Sequence, residues 1–401
     1  MTTQALELFR SVPRYLTARA IGSYVPGLVS GPLSTLRLVN RKDPEPLGEG
    51  WARVRPILSG ICGSDLATIS GRSSFYFSPL VSMPFVPGHE VVGELVDDVD
   101  GLAAGTRVVL EPVLSCRARG LEPCVNCASG VTGRCDRVTA GHVSPGLQTG
   151  YCADTGGGWS RLFVAHRSQL HPVPGELSDR RAVLIEPLSC AIHAALRARI
   201  EPNAEVLLIG AGTVGLLVLL ALKELARPGR ITVVAKHGVQ REWAEGFGAT
   251  EVVSPPEAIG EVRRSTRAMK LRPERGQSYL LGGVDVAIDC VGSRSSLDLA
   301  LRTTRAGGRI VMAGIPVQGA DLTPLWFREL ELVGAYTGGV ETIGKERRHA
   351  FEVATQLAGS WPLDGMVGAT YPLRRWREAI DHALAAGKLG TLKVAFEPHA
   401  E

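Results

Sequence analysis

Short β-like runs of apolar residues, set off by frequent Gly and Pro, fill the stretch from residue 51 to about residue 175. They are WARVRPIL at 51–58, HEVVGELV at 89–96, TRVVLEPVL at 106–114 and WSRLFVAH at 159–166, with Gly and Pro between them. Short runs at such spacing, punctuated by turn residues, predict a strand-rich, barrel-like domain. The period changes after residue 182. RRAVLIEPLSCAIHAALRA (180–198) has helical spacing, VLLIG (206–210) reads as a buried strand, and TVGLLVLLALKELA (213–226) reads as a helix. ITVVA, DVAIDCVG and GRIVMAG read as further strands, with helices at REWAEGFGA and SSLDLALRTTR between them. Strand and helix in alternation predict a parallel sheet of βαβ units. Beyond about residue 338 the pattern turns helical and ends in a short strand, LKVAF (392–396), able to return to the first domain. Residues 1–50 are turn-rich, with weak apolar stretches at 21–29 and 33–39. The expected division is 1–185, 186–338 and 339–401.

Composition narrows the class. A chain of 401 residues suits two domains. With 45% hydrophobic and 21% charged residues it can bury sizeable cores, which excludes disordered and fibrous classes. The 44 basic and 40 acidic residues leave a net charge of only +4, too weak and spread out to argue for nucleic acid or a membrane surface. The N-terminal MTTQALELFRSVPRYL places acid and base before any apolar run and does not read as a secretory signal. Three glycines break the longest apolar stretch, at 206–225, so strand plus helix is expected there and not a membrane span. A cytoplasmic chain with reduced thiols is the expectation, in which clustered cysteines point to metal. Residues 263–275 hold six basic residues in thirteen and are expected to form a solvated insertion loop.

Gly210, Gly212 and Gly215 form G-x-G-x-x-G after a strand and at the start of a helix, with Thr213 and Val214 between the last two. The first glycine permits a tight turn, the second lets backbone approach a pyrophosphate, and the third lets helix pack on strand. The helix N-terminus then offers amides to the phosphates. An acid about twenty residues later would hold the adenosine ribose of NAD. Here the second strand ends in Ala235, followed by Lys236, His237 and Arg241. Cations without an acid favour NADP(H) over NAD(H).

Two sets of candidate ligands stand out. Cys62, His89 and a glutamate, either Glu90 or Glu186, offer thiolate, imidazole and carboxylate to Zn²⁺, with one position left for water or substrate. Ser64 can pass a proton to or from a bound alkoxide, and Asp65 can hold the ring N–H of a ligating histidine. Cys190 and His193, on the helical face of Glu186, read as packing residues, as do Cys152 and Cys290. The second set is Cys116, Cys124, Cys127 and Cys135, four thiols in twenty residues of a loop too polar for its own core. Four thiolates around Zn²⁺ would close such a loop and stabilise it.

C-G-S-D at 62–65, G-H-E-x-x-G at 88–93, E-P-L at 186–188 and G-x-G-x-x-G at 210–215 together resemble the zinc-containing medium-chain dehydrogenase/reductase family, nearest its sorbitol- and threonine-dehydrogenase-like branch. The resemblance spans roughly residues 45–400. It implies an α/β protein with a GroES-like β-barrel catalytic domain, a doubly wound Rossmann domain and an active site between them. It also implies a catalytic and a structural zinc, and a homodimer or homotetramer acting on an alcohol or carbonyl compound. A zinc-independent quinone or enoyl reductase and a non-catalytic NADPH-binding sensor are the alternative expectations. Three departures from the family pattern matter. The first structural cysteine is expected at Leu121, so Cys116 would have to loop back. The usual relay histidine is replaced by Ala67. The N-terminal segment and the aromatics Phe75, Tyr76, Phe77 and Phe85 would reshape the substrate side, either as an apolar wall or as core.

Overall fold

In the computed structural model, which describes residues 2–22, 27–316 and 319–401, the short β-like runs pair, together with strands from the C-terminal segment, into one seven-stranded sheet. The strand Trp51–Gly60 is its hub, pairing antiparallel with Val91–Leu95, Phe163–His166 and Lys393–Phe396. Arg107–Leu110 pairs with Val91–Leu95 and then with Leu170–Pro172. On the far side Val367–Tyr371 runs parallel to Lys393–Phe396, so the C-terminal segment completes this sheet. The register sets Gly60 opposite Ala395 and Ser59 opposite Phe396. These elements belong to a unit made of Met1–Glu186 and Phe351–Glu401.

Trp159, Phe85, Phe163, Phe396 and Leu6 are fully buried in this unit. Each such side chain contributes roughly 1.5–3 kcal/mol by leaving water. Trp159 meets Phe396 edge-on at 5.1 Å between centroids, and its indole N–H donates to the Gly60 carbonyl at 3.3 Å. The aromatics of the 72–87 stretch divide: Phe85 lies in the core, whereas Phe75, Tyr76 and Phe77 are exposed.

The first fifty residues hold more structure than their pattern suggests. Thr2–Leu8 pairs antiparallel with Leu36–Lys42, and the helix Val12–Ile21 lies between them in sequence. Leu6 and Leu8 also donate their amides to Trp159 and Phe85 carbonyls, at 2.8 Å each. The first strand is therefore buried on nearly all sides, and its residues need not alternate. Of the apolar stretch 21–29, residues 23–26 lie outside the described residues.

The second unit, Pro187–Ala350, is built on a six-stranded parallel sheet. Its spatial order is Glu251–Val253, Arg230–Val234, Glu205–Ile209, Val284–Asp289, Thr304–Met312 and Glu331–Gly334. This is the doubly wound order 3-2-1-4-5-6, whose switch point falls between Glu205–Ile209 and Val284–Asp289. The helix Thr213–Ala221 is buried from Gly215 to its end, which explains why its sequence is apolar all round. Two segments differ from expectation. Residues 263–275 are partly ordered: the helix Ala258–Thr266 enters them, and Met269–Leu271 pairs with Tyr279–Leu281, anchored by buried Leu280. After residue 338 a hairpin, Val340–Ile343 with Glu346–His349, precedes the helix Ala350–Ser360. Among the described residues no helix is long and apolar enough to cross a membrane.

Candidate active site

The helix Gly63–Ile69 begins at Cys62, whose amide donates to Asp65 Oδ2 at 3.1 Å. Asp65 therefore caps the helix with one carboxylate oxygen and turns the other toward His89 and Tyr151. That second oxygen, Oδ1, lies 3.4 Å from His89 Nδ1 and 3.4 Å from the Tyr151 hydroxyl. An imidazole whose Nδ1 faces a carboxylate carries its proton there and directs Nε2 elsewhere. His89 Nε2 lies 3.4 Å from Ser64 Oγ, and the Cys62 thiol borders the same ring. Burial disfavours charge on His89, but the nearby Asp65 and Cys62 outweigh it and hold the imidazole well above its ordinary value.

Backbone geometry explains why His89 can sit here. Gly88 has φ +97°, and a Cβ at that position would collide with the Trp159 ring and amide. Glycine lets the chain turn over the indole, placing His89 and Glu90 just before Val91–Leu95.

Glu90 points to a partner that motif reading missed. Its carboxylate is paired with the Lys393 ammonium, and the two side chains are 1% and 4% exposed. Lys393 also donates to the Ile61 carbonyl at 3.3 Å. Burial works against its charge, while Glu90, Cys62 and Glu186 more than offset that cost and raise its pKa. Gly60 makes room for the pair, since a Cβ there would strike Glu90 Oε2 and the Lys393 stem. The signal for Lys393 was a lone cation inside the apolar strand LKVAF, because buried lysines are rare unless paired. Glu186 is also buried, in the first turn of the helix Ile185–Arg197. Further along that helix, Cys190 lies 3.7 Å from Thr337 Oγ1, and His193 Nδ1 lies 2.6 Å from Glu341 Oε1.

The donor set Cys62, His89 and buried glutamate has the chemistry of a zinc site. With Nδ1 turned toward the Asp65 carboxylate, Nε2 is left for metal ligation. Among the described residues, however, no third donor joins Cys62 and His89 with all three ligand atoms within 4.8 Å.

The sulfur atoms of Cys116, Cys124, Cys127 and Cys135 do gather, all within 4.8 Å of one another. Cys116 and Cys135 are 3.6 Å apart, close to the roughly 3.8 Å edge of a tetrahedron with Zn–S bonds of about 2.3 Å. Cys116 reaches the cluster because residues 116–121 fold back: Arg119 and Leu121 both donate their amides to the Cys116 carbonyl. Fully buried Arg119 then ties the loop by donating to the carbonyls of Leu114, Ala140, Val143 and Gly146. Amide hydrogen bonds from Asp136 and Cys127 lower the Cys124 thiol to about 6, whereas burial raises Cys127 and Cys135.

In the second unit Gly210 has φ +95° at the end of Glu205–Ile209, and a Cβ there would meet the Val291 side chain. A Cβ on Gly215 would collide with the Gly210 carbonyl, so the helix packs on the strand only with glycine. Gly212 caps the helix without a side chain, is exposed and has open space before it, with Thr213 and Val214 half-buried beyond. Asp289 accepts the amides of Val291 and Gly292 at 2.9 and 3.0 Å, fixing the neighbouring strand end. The Lys236 and His237 amides both donate to Gln240 Oε1, while the Lys236 side chain is exposed. Arg241 donates to the Val252 carbonyl at 2.6 Å.

With this geometry in view, the comparisons define the class. An alcohol dehydrogenase GroES-like domain matches residues 48–175, and a zinc-binding dehydrogenase domain matches residues 213–356. L-idonate 5-dehydrogenase of Vitis vinifera is 32% identical over 297 residues, 72% of this chain and 74% of that protein. Sorbitol dehydrogenase of Arabidopsis thaliana is 30% identical over 295 residues, again 72% and 74%. In fold the chain resembles a zinc-binding dehydrogenase candidate of Sinorhizobium meliloti 1021 solved with NADP, with a TM-score of 0.72 at 24% identity over 99% of this chain and 100% of that one. The chain belongs to the zinc-containing medium-chain alcohol dehydrogenase family, in its sorbitol-dehydrogenase-like branch. It is an oxidoreductase of that class.

Proposed function

We propose that the chain is an NADP(H)-linked, zinc-dependent dehydrogenase of polyols or related secondary alcohols, working in the cytoplasm as a homodimer or homotetramer. The observation that carries this reading is the convergence of Cys62, His89 and Ser64, with Asp65 behind the imidazole. Cys62 and His89 would hold the catalytic zinc. The third donor would be Glu186 or Glu90, both buried beside Lys393, with Glu90 paired to it directly. Cys116, Cys124, Cys127 and Cys135 would hold the structural ion. Gly210, Gly212, Thr213, Val214 and Gly215 would cradle the dinucleotide pyrophosphate, with Lys236 and His237 beside the adenosine ribose and Arg241 nearby. When bound, zinc supplies Lewis-acid polarisation of a substrate oxygen, and the nicotinamide supplies or accepts the hydride.

The residues around Ser64 address the missing relay at Ala67. The Tyr151 hydroxyl borders Ser64, donates to Asp65 Oδ1 at 3.4 Å and lies 3.3 Å from Thr68 Oγ1, which in turn lies 3.0 Å from Ser73 Oγ. Burial, then the Asp65 charge, pushes the Tyr151 phenol well above its ordinary value. A neutral phenol can donate and accept at once, so a proton leaving Ser64 Oγ can be relayed by way of Tyr151, Thr68 and Ser73 to water, each hydroxyl giving up its own proton as it takes the next. Replacing Cys62 with Ser tests the reading. Turnover of alcohols such as sorbitol should fall by about a thousandfold or more, the worth of several kcal/mol of transition-state stabilisation, with NADPH affinity kept. Undiminished turnover would overturn it.

A further inference from the structure

Four guanidinium groups line one open cavity of about 540 Å³ far from the cysteine clusters in sequence: Arg14, Arg37, Arg374 and Arg377. Its other walls include Phe9, Ser34 and Trp376, and no carboxylate is among the lining residues. The cavity is formed by the segment before residue 48, which lies outside both matched family domains, and by the start of the helix Trp376–Ala385.

Three of the four arginines are held in place. Arg14 and Arg37 lie over the Phe9 ring at 5.3 and 4.8 Å from its centroid, and Arg377 lies over Trp376 at 4.6 Å. Arg14 also donates to the Ser34 carbonyl at 2.8 Å, and Arg377 to the Ser30 carbonyl at 3.1 Å. Ring faces and carbonyls fix these groups without neutralising them. Among the described residues only Arg37 of the four has a carboxylate partner, Glu7 at 2.6 Å. Neighbouring acids are engaged elsewhere: Glu378 pairs with Arg375, and Asp381 accepts from the Ser30 hydroxyl. A chain whose net charge is only +4 thus keeps three uncompensated guanidiniums around one cavity.

We propose that this cavity binds a phosphate-bearing small molecule, a site separate from the dinucleotide fold. A single carboxylate carries one charge and would satisfy one arginine. A phosphate group carries about two charges and three strong acceptor oxygens, which suits several guanidiniums approaching from different sides. The volume lies within the usual range for small-molecule sites.

The test uses whole protein saturated with NADP⁺, so that the dinucleotide site is filled. Inorganic pyrophosphate is titrated in by calorimetry at constant ionic strength against the wild type, R374Q, R374Q/R377Q and the charge-keeping R374K/R377K. Arg374 is exposed and makes no ion pair among the described residues, so R374Q leaves the fold intact. The expected result is saturable binding to the wild type, weakened about tenfold or more in R374Q, lost in the double glutamine variant, and partly kept in R374K/R377K. Absence of saturable binding to the wild type at millimolar pyrophosphate would overturn the proposal. So would equal affinity in R374Q/R377Q, or tighter binding of citrate than of pyrophosphate.

Discussion

Replacing Lys393 with Met removes the cation from a buried pair and leaves the Glu90 carboxylate, 1% exposed, without its counter-charge. Breaking a buried ion pair from one side costs about 3–5 kcal/mol, because the remaining charge keeps its desolvation penalty. The lost bond to the Ile61 carbonyl adds to this. In a unit of this size each kcal/mol lowers the melting midpoint by about 2–4 °C, so K393M should melt roughly 6–20 °C below the wild type. The pair also predicts non-additivity. In K393M/E90Q no charge is stranded, and most of the loss should be recovered, giving a coupling of about 3 kcal/mol or more in a double-mutant cycle. Thermal melts of the four proteins followed by far-UV circular dichroism measure both quantities. If K393M melts within about 1 °C of the wild type, or the double variant loses the sum of the single losses, the buried-pair reasoning is wrong.

Other consequences are equally direct. Cys116→Ser should cut structural-metal affinity, lower the melting midpoint and make residues 116–135 an early site of limited proteolysis, since that loop has little apolar core of its own; unchanged melting and cleavage would show that Cys116 is dispensable. Tyr151→Phe removes a hydroxyl from the proposed relay and should lower kcat about tenfold to a hundredfold with substrate KM little changed; a KM effect alone would assign Tyr151 to binding. NADPH should bind at least about tenfold more tightly than NADH, and Lys236→Glu should reverse the order by adding repulsion to the 2′-phosphate. Tighter binding of NADH to the wild type would refute the cation argument.

How far the sequence could be read depended on whether a signal was local. The doubly wound unit was legible because each strand and helix announces itself through its period, and because G-x-G-x-x-G marks the turn at Gly210. The strand-rich unit was legible in its middle, where Gly and Pro set off short β-prone runs. Its first strand, Thr2–Leu8, was not, since burial on nearly all sides erases alternation. The four thiols stood out by spacing, but the return of Cys116 depends on Arg119 collecting carbonyls from residues up to 27 positions away. The same limit hid the pairing of Lys393 with Glu90 and the approach of Tyr151 to Ser64. These contacts join residues that lie far apart in the sequence. The arginine cavity is the extreme case, because its walls come from opposite ends of the chain.

Metal content tests the central claim most directly. Elemental analysis of the purified wild type and of Cys62→Ser, alongside the melting curves, should give about two zinc ions per chain in the first and about one in the second. One zinc per chain in both proteins would leave only the four-cysteine loop loaded. It would contradict a zinc-dependent active site at Cys62 and His89.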